Sequence, residues 1–516
     1  MPGTYRPFNK KRRFGYCTGL MSESFIYNMY YTYFLAFLTD IADLSGSVAG
    51  VIIFISILWD AVTDPVIGYY TDRPGVDKRK VMIRAAVPMG LAFIACWLNI
   101  GRIVPFVGER PWMQVAYYVI VALSLWLFYT YYTIPYYSVV PELTEDYDER
   151  TSIRSLSSLL NVFAVAVGNA LPALAGIAVF TTVKEYNAST DAALRAEADA
   201  SLFATQEHGY LIIAAVIAVL AVIFAVICRV SLSGVRLAKA EMNDDGAKSA
   251  RGRASGVFGA YLQIIRFRPV IFFTVFVFFF LACSSMVQSN MVYAVTRCIG
   301  VDETTGMTTF VIVLVAVMAA VVPLVDLTAR KTDRRTASLI FMSIALAGLI
   351  AVKLIGLEHS YMVYVQPVVF GIATGTFWTL FYSMAYDIVE LDEYVYGSRR
   401  EGIITAFPQL VQKAGSGTGI LLAGQLLTAY GYDSGKYEQT LSAVTVNGIE
   451  NISTVFPAIL LAVSIAGLIL YPMTRARFEL LKTELEKKRR GEPSDGAGLE
   501  KLVTKKQIEA AKNGDR

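Results

Sequence analysis

Asp60 and Asp64 stand four residues apart in WDAVTDP, inside an apolar run from about Gly50 to Tyr70. Positions i and i+4 share a helix face, so the two carboxylates project side by side, with the hydroxyl of Thr63 next to them. At the centre of a membrane helix each acid costs roughly 2.5–3.5 kcal/mol on insertion scales. Adjacent carboxylates in a low dielectric repel until a cation or a proton intervenes. The spacing therefore predicts a seat for Na⁺ or H⁺ facing a polar cavity, and a carrier that couples cation movement to a second solute. Pro65 comes directly after and is expected to bend the helix and free backbone carbonyls. Lys413, in QKAGSG, is the basic residue deep in another apolar run, and Asp60 or Asp64 is its expected counter-charge. Glu23 is the next intramembrane charge, and Tyr27, Tyr30 and Tyr31 fall on or near its face. The aromatic stripe reads as packing or as a substrate wall.

The elements that hold these residues are membrane spans. The chain has 516 residues, 55% hydrophobic and 17% charged, with a mean hydropathy of +0.50. Soluble domains are nearer a quarter charged. Apolar stretches long enough to cross a core of roughly 30 Å are expected at 14–39, 47–71, 82–101, 113–140, 155–180 and 209–230, then at 268–293, 307–327, 337–356, 361–387, 402–430 and 452–474. The expected fold is all-α and polytopic, twelve helices in two bundles of six. With loops assigned alternately, most of the 46 Lys and Arg fall on the side of both termini, which makes that side cytoplasmic; the expected location is the cell's inner membrane. The net charge of +4 thus reports topology and gives no support for nucleic-acid binding. Lys10 to Arg13 precede the first span, which is too long for a signal peptide and lacks a cleavage site. The five cysteines are scattered without a CxxC, and His208 and His359 fall in expected loops. Zinc, a disulfide framework and a nucleophile–base pair are therefore unsupported, and no enzyme or cofactor is expected.

The division expected along the chain is a cytoplasmic N-terminus at 1–13, a first bundle at 14–230 and a cytoplasmic linker at 231–265. A second bundle at 266–474 and a tail at 475–516 complete it. YSVVPELTEDYDER ends the fourth span and YSMAYDIVELDEYVYGSRREG ends the tenth, so Tyr-Ser, an acidic patch, Tyr and Arg recur at the same point of each half. Duplicated halves with a site at their interface are a common transporter plan. After the second span, GYYTDRPGVDKRK carries Asp72 and Arg73. Asp72 is unfavourable at a helix C-terminus and is expected to pair with a base such as Arg150, latching the cytoplasmic side. DLTARKTDRR comes after the eighth span in a related pattern. The charged run after Pro472 reads as a surface helix with solvated or headgroup-facing sides.

WDAVTDP, EDYDERTS in the loop after the fourth span, and GSRREGIITA with QKAG beyond it resemble the glycoside–pentoside–hexuronide:cation symporter family of the major facilitator superfamily. The resemblance runs from FGYCTG at Phe14 to the twelfth span; GxxxDRxG at Gly68 marks only the superfamily. It implies symport of a sugar or glycoside with Na⁺, Li⁺ or H⁺ by alternating access. By resemblance, Asp60 and Asp64 match the family's cation-site aspartates and Thr130 a threonine lining that site, while Thr63 stands where an asparagine occurs. Lys413 matches a membrane lysine, Trp378 a tryptophan of the tenth span, and Tyr129 a tyrosine beside the sugar. Ser24 and Thr133 replace acidic residues, Ser158 an arginine, Tyr137 a tryptophan and Glu23 a lysine. The coupling residues match; the galactoside grip does not.

The expected activity is cation-coupled symport of a sugar, glycoside or sugar acid by a monomer embedded in the lipid bilayer. Asp60, Thr63, Asp64 and Thr130 form the expected ion site. Glu23, Ser24, Tyr27, Tyr31, Tyr129, Thr133, Tyr137, Ser158, Trp378 and Lys413 form the expected substrate site. The altered sugar contacts leave a second cargo open, a non-sugar or lysolipid-like amphiphile. A non-transporting sensor is a third reading, opposed by the retained ion-site carboxylates.

Overall fold

The computed structural model describes residues 9–71, 76–143, 192–235, 267–301, 303–396, 401–432 and 441–490, together with 153, 156–157, 160–161, 163–165, 167–169, 265, 492 and 498–503. Every regular element among them is helical, as a chain of apolar spans requires when lipid offers its backbone no partners. Eight helices among the described residues are long and apolar enough to cross a membrane. The first expected span is divided at Thr18 into Lys10–Cys17 and Gly19–Ala36, and the third, Lys78–Cys96, begins with basic residues. The fifth is represented by helical residues between 153 and 169. Ser158, Asp72, Arg73 and Arg150 lie outside the described residues.

Several helix starts are dictated by local sequence. Asp77 caps the third span by accepting from the Arg79 amide at 3.1 Å, and Asp333 caps the ninth, Arg334–Ile355, from the Thr336 amide at 2.6 Å. These are the two places where the sequence repeats its Asp-basic pattern. The repeat reappears at the other end of the molecule. The first span passes into a π-turn at Phe37–Ile41 and the seventh, Arg268–Tyr293, into another at Ala294–Ile299. The second span is one helix, Gly46–Thr71, continuous through Pro65; proline there removes the amide that would bond the Ala61 carbonyl. Some helices exceed their expected spans. Ala192–Ser231 extends well before the sixth apolar run, because AALRAEADA is rich in strong helix formers, and it takes His208 out of its expected loop.

The second span packs on the fourth, Pro111–Leu143, and on the eleventh, Glu401–Ala429; the seventh packs on the eleventh and on Val455–Leu470. The bundles meet tightly at the end away from the chain termini. There Thr39 and Tyr293 share a hydrogen bond of 2.6 Å, Tyr432 donates to Asp40 at 2.8 Å, and the Ser47 amide donates to Thr428 at 2.8 Å. A Cβ on Gly424 would come within 2.2 Å of the Gly46 carbonyl oxygen, so only glycine allows this helix approach. At the opposite end the tail helix, Arg475–Arg489, lies against the tenth span, Met362–Tyr396. Leu481 and Leu485 are buried, and Arg489 pairs with Glu393 through two bonds of 2.9 and 2.7 Å. The expectation of solvated or headgroup-facing sides is corrected here: apolar residues at i and i+4 give this charged helix one buried side.

Candidate functional site

The second span supplies the centre of the site. Asp60 is 2% exposed, whereas the Asp64 side chain, one turn later, is 22% exposed. Thr63 turns its hydroxyl back to the Asp60 carbonyl at 3.1 Å and stands 3.4 Å from the Thr130 hydroxyl. Thr130, on the fourth span, donates to Asp60 Oδ1 at 2.5 Å. From the eleventh span Lys413 places Nζ 2.7 Å from Asp60 Oδ2 and also donates to Asp64 Oδ2. The four oxygen-bearing side chains grouped from sequence spacing and resemblance, with the lysine, thus converge on one point between the bundles.

Lys413 reaches that point because its helix lies close. Gly417, one turn on, would bring a Cβ to 3.1 Å from the Phe54 ring, so its lack of a side chain lets the eleventh span seat against the second. The charges present are one ammonium and two carboxylates. In a buried site such groups must be paired and hydrogen-bonded to be tolerated, and here each carboxylate is held by Lys413, with Thr130 also holding Asp60. The arrangement can accept one further positive charge and reach neutrality.

A second polar cluster lies on the first span. Tyr137 donates to Glu23 Oε1, and Glu23 is 5% exposed. Ser24 donates to Asn161 at 2.7 Å. Tyr27 and Tyr31 stack with ring centroids 4.1 Å apart, and both stand edge-on to Trp126, whose ring is 4.9 Å from Tyr129. Trp126, Thr130, Thr133 and Tyr137 keep helical spacing along one stripe of the fourth span, so that stripe joins the two clusters. Thr133 is buried and Tyr137 is 56% exposed. The Trp378 ring packs on Phe377 and Phe381 of its own helix, and with Tyr382 and Tyr386 it forms an exposed aromatic row.

Sequence reasoning missed a ladder of neutral polar residues beside Ser24. Thr32 donates to Asn169 at 2.6 Å, Asn169 donates to Asn28 at 3.4 Å, and Gln288 reaches across from the seventh span to Thr32 at 3.0 Å. The signal was Asn161 and Asn169 eight residues apart in an apolar run, matched by Ser24, Asn28 and Thr32 at four-residue steps.

A family model described as MFS/sugar transport protein matches residues 15–475. The chain is 23% identical to the isoprimeverose transporter of Lactiplantibacillus pentosus, over 92% of this chain and 91% of that protein. It is also 23% identical to sodium-dependent lysophosphatidylcholine symporter 1-A of Danio rerio, over 87% of this chain and 83% of that protein. Among solved structures, a bacterial homolog of the human lysosomal transporter Spinster, inward-facing and unoccupied, aligns with a TM-score of 0.61 at 14% identity, covering 90% of this chain and 98% of that one. At that identity the likeness is one of fold.

Proposed function

The chain belongs to the MFS/sugar transport protein family, and from that premise we propose that it carries a sugar, glycoside or sugar acid by cation-coupled symport and alternating access. It is a multi-pass membrane transporter and not an enzyme. The observation that supports the coupling site best is Lys413 bridging Asp60 and Asp64. In this reading Na⁺ or H⁺ enters between the carboxylates, with the Thr63 and Thr130 hydroxyls completing the oxygen set. The ammonium of Lys413 is then released from at least one aspartate and turns toward the cargo beside Glu23, Ser24, Thr133 and Tyr137. Without the cation the site keeps one uncompensated negative charge, which opposes closure; with it the ion site is neutral and the bundles rock around the bound cargo. In this reading the protein lies in the cell membrane as a monomer with both termini cytoplasmic, the bundles divided at 231–265.

The test is uptake into proteoliposomes under separate Na⁺ and H⁺ gradients. Asp60→Cys and Asp64→Cys are expected to abolish accumulation against a gradient, and unchanged concentrative uptake in either would remove the cation-site assignment. One observation favours a second cargo. The exposed row of Trp378, Tyr382 and Tyr386 offers an apolar track suited to an amphiphile, in line with the likeness to a lysophosphatidylcholine symporter. Na⁺-dependent uptake of a lysolipid in place of any sugar would select that reading.

A further inference from the structure

We infer that Glu23 sets the charge of the cargo, admitting neutral hydroxylated glycosides and rejecting those that carry a carboxylate. The inference rests on the symporter reading above and narrows its substrate class. Glu23 Oε1 accepts from Tyr137, but Oε2 is buried and has no hydrogen-bond partner among the described residues. A buried acceptor left unpaired is costly, and the cost is recovered when a donor arrives. The free edge of this carboxylate therefore asks for an O–H or N–H from a ligand, which a hydroxyl supplies and a carboxylate does not.

The position suits a ligand. Tyr137, whose hydroxyl holds Glu23, is 56% exposed, so the pair is accessible from the Tyr137 side. Tyr137 lies seven residues beyond Thr130 on one helix, about 10 Å at 1.5 Å per residue. That rise places Glu23 about two helical turns from the ion site. Ser24, next in sequence, is bonded to Asn161, adding neutral polar groups at the same level.

Charge accounting points the same way. Lys413 and one coupling cation balance Asp60 and Asp64, so the filled ion site has no positive charge to spare. Among the described side chains bonded to these residues, Lys413 is the basic group, and both its ion pairs run to those aspartates. A carboxylate on the cargo would add a negative charge that the filled ion site does not balance.

The test uses purified full-length protein in proteoliposomes and three probes that differ only in the group on C5: methyl β-xyloside, methyl β-glucoside and methyl β-glucuronide. The Na⁺-dependent thermal shift is read alongside, as a check of folding and of the ion site. Wild type is expected to take up at least one neutral probe about tenfold or more faster than the glucuronide, the discrimination a buried, unpaired polar group imposes. Glu23→Gln keeps the shape and the bond from Tyr137 but adds a donor, and is expected to narrow that ratio to about threefold or less. Glucuronide uptake equal to the neutral probes in wild type, or an unchanged ratio in Glu23→Gln, overturns the inference alone. Absence of uptake of all three with the thermal shift intact overturns the sugar reading itself, and this inference with it.

Discussion

Lys413 serves two carboxylates with one charge, so removing it exposes more than one partner. Lys413→Ala leaves Asp60 buried and uncompensated and is expected to destabilise the protein by about 3–5 kcal/mol. Lys413→Ala with Asp60→Asn should regain much of that loss. Thermal unfolding of the two single variants and the double variant reads the coupling between them, and additive losses would show that the pair does not act as a unit. Thr130→Val should weaken cation affinity while leaving Lys413 in place, because it deletes the donor to Asp60 Oδ1; titration of the cation-dependent thermal shift checks it. The pairing was legible in the sequence, since a charge at membrane depth demands an opposite one. That Lys413 serves both Asp60 and Asp64, where the sequence offered either, was not legible. It depends on the height of Lys413 on the eleventh span, and hence on packing at Gly417.

Helix ends carry their own contributions. Asp77 lies outside the spans; although burial opposes its ionisation, the hydrogen bond and charge of Arg79 hold its carboxyl below the ordinary value. A depressed carboxyl stabilises the folded state above its unfolded pKa and loses that contribution as pH falls through the folded one. Asp77→Ala is therefore expected to cost about 1 kcal/mol near neutrality, with the difference in melting temperature closing below the usual aspartate range. The apolar runs located the spans, since hydrophobic length is the strongest signal a membrane chain carries. The π-turns after the first and seventh spans escaped notice, because one extra residue in a turn barely alters hydropathy. The tail helix was legible as a helix but not as a docked one. Leu481 and Leu485 are a small apolar signal among many charges, and Glu393 is distant in sequence.

Across the whole molecule, the bundles meet at the end away from the termini through hydroxyls, one carboxylate and a glycine contact. A bulky residue at Gly424 must separate the second and eleventh spans there. Gly424→Leu is expected to make a cysteine introduced at Thr39 reactive toward a membrane-impermeant maleimide from that side, whereas the parent cysteine variant stays protected; labelling of both in sealed vesicles checks it. The two π-turns add a constraint of a different kind. Each lets a span gain one residue without rotating the segment below it; the first contains Thr39 and Asp40 of the seal, and the second begins directly after Tyr293. Deleting a residue from Phe37–Ile41 would rotate the rest of the turn by about 100°, carrying Asp40 away from Tyr432. Insertions and deletions in the outer halves of these spans are thus restricted to matched pairs, and the length of the chain at those two points is as much a part of the gate as its side chains.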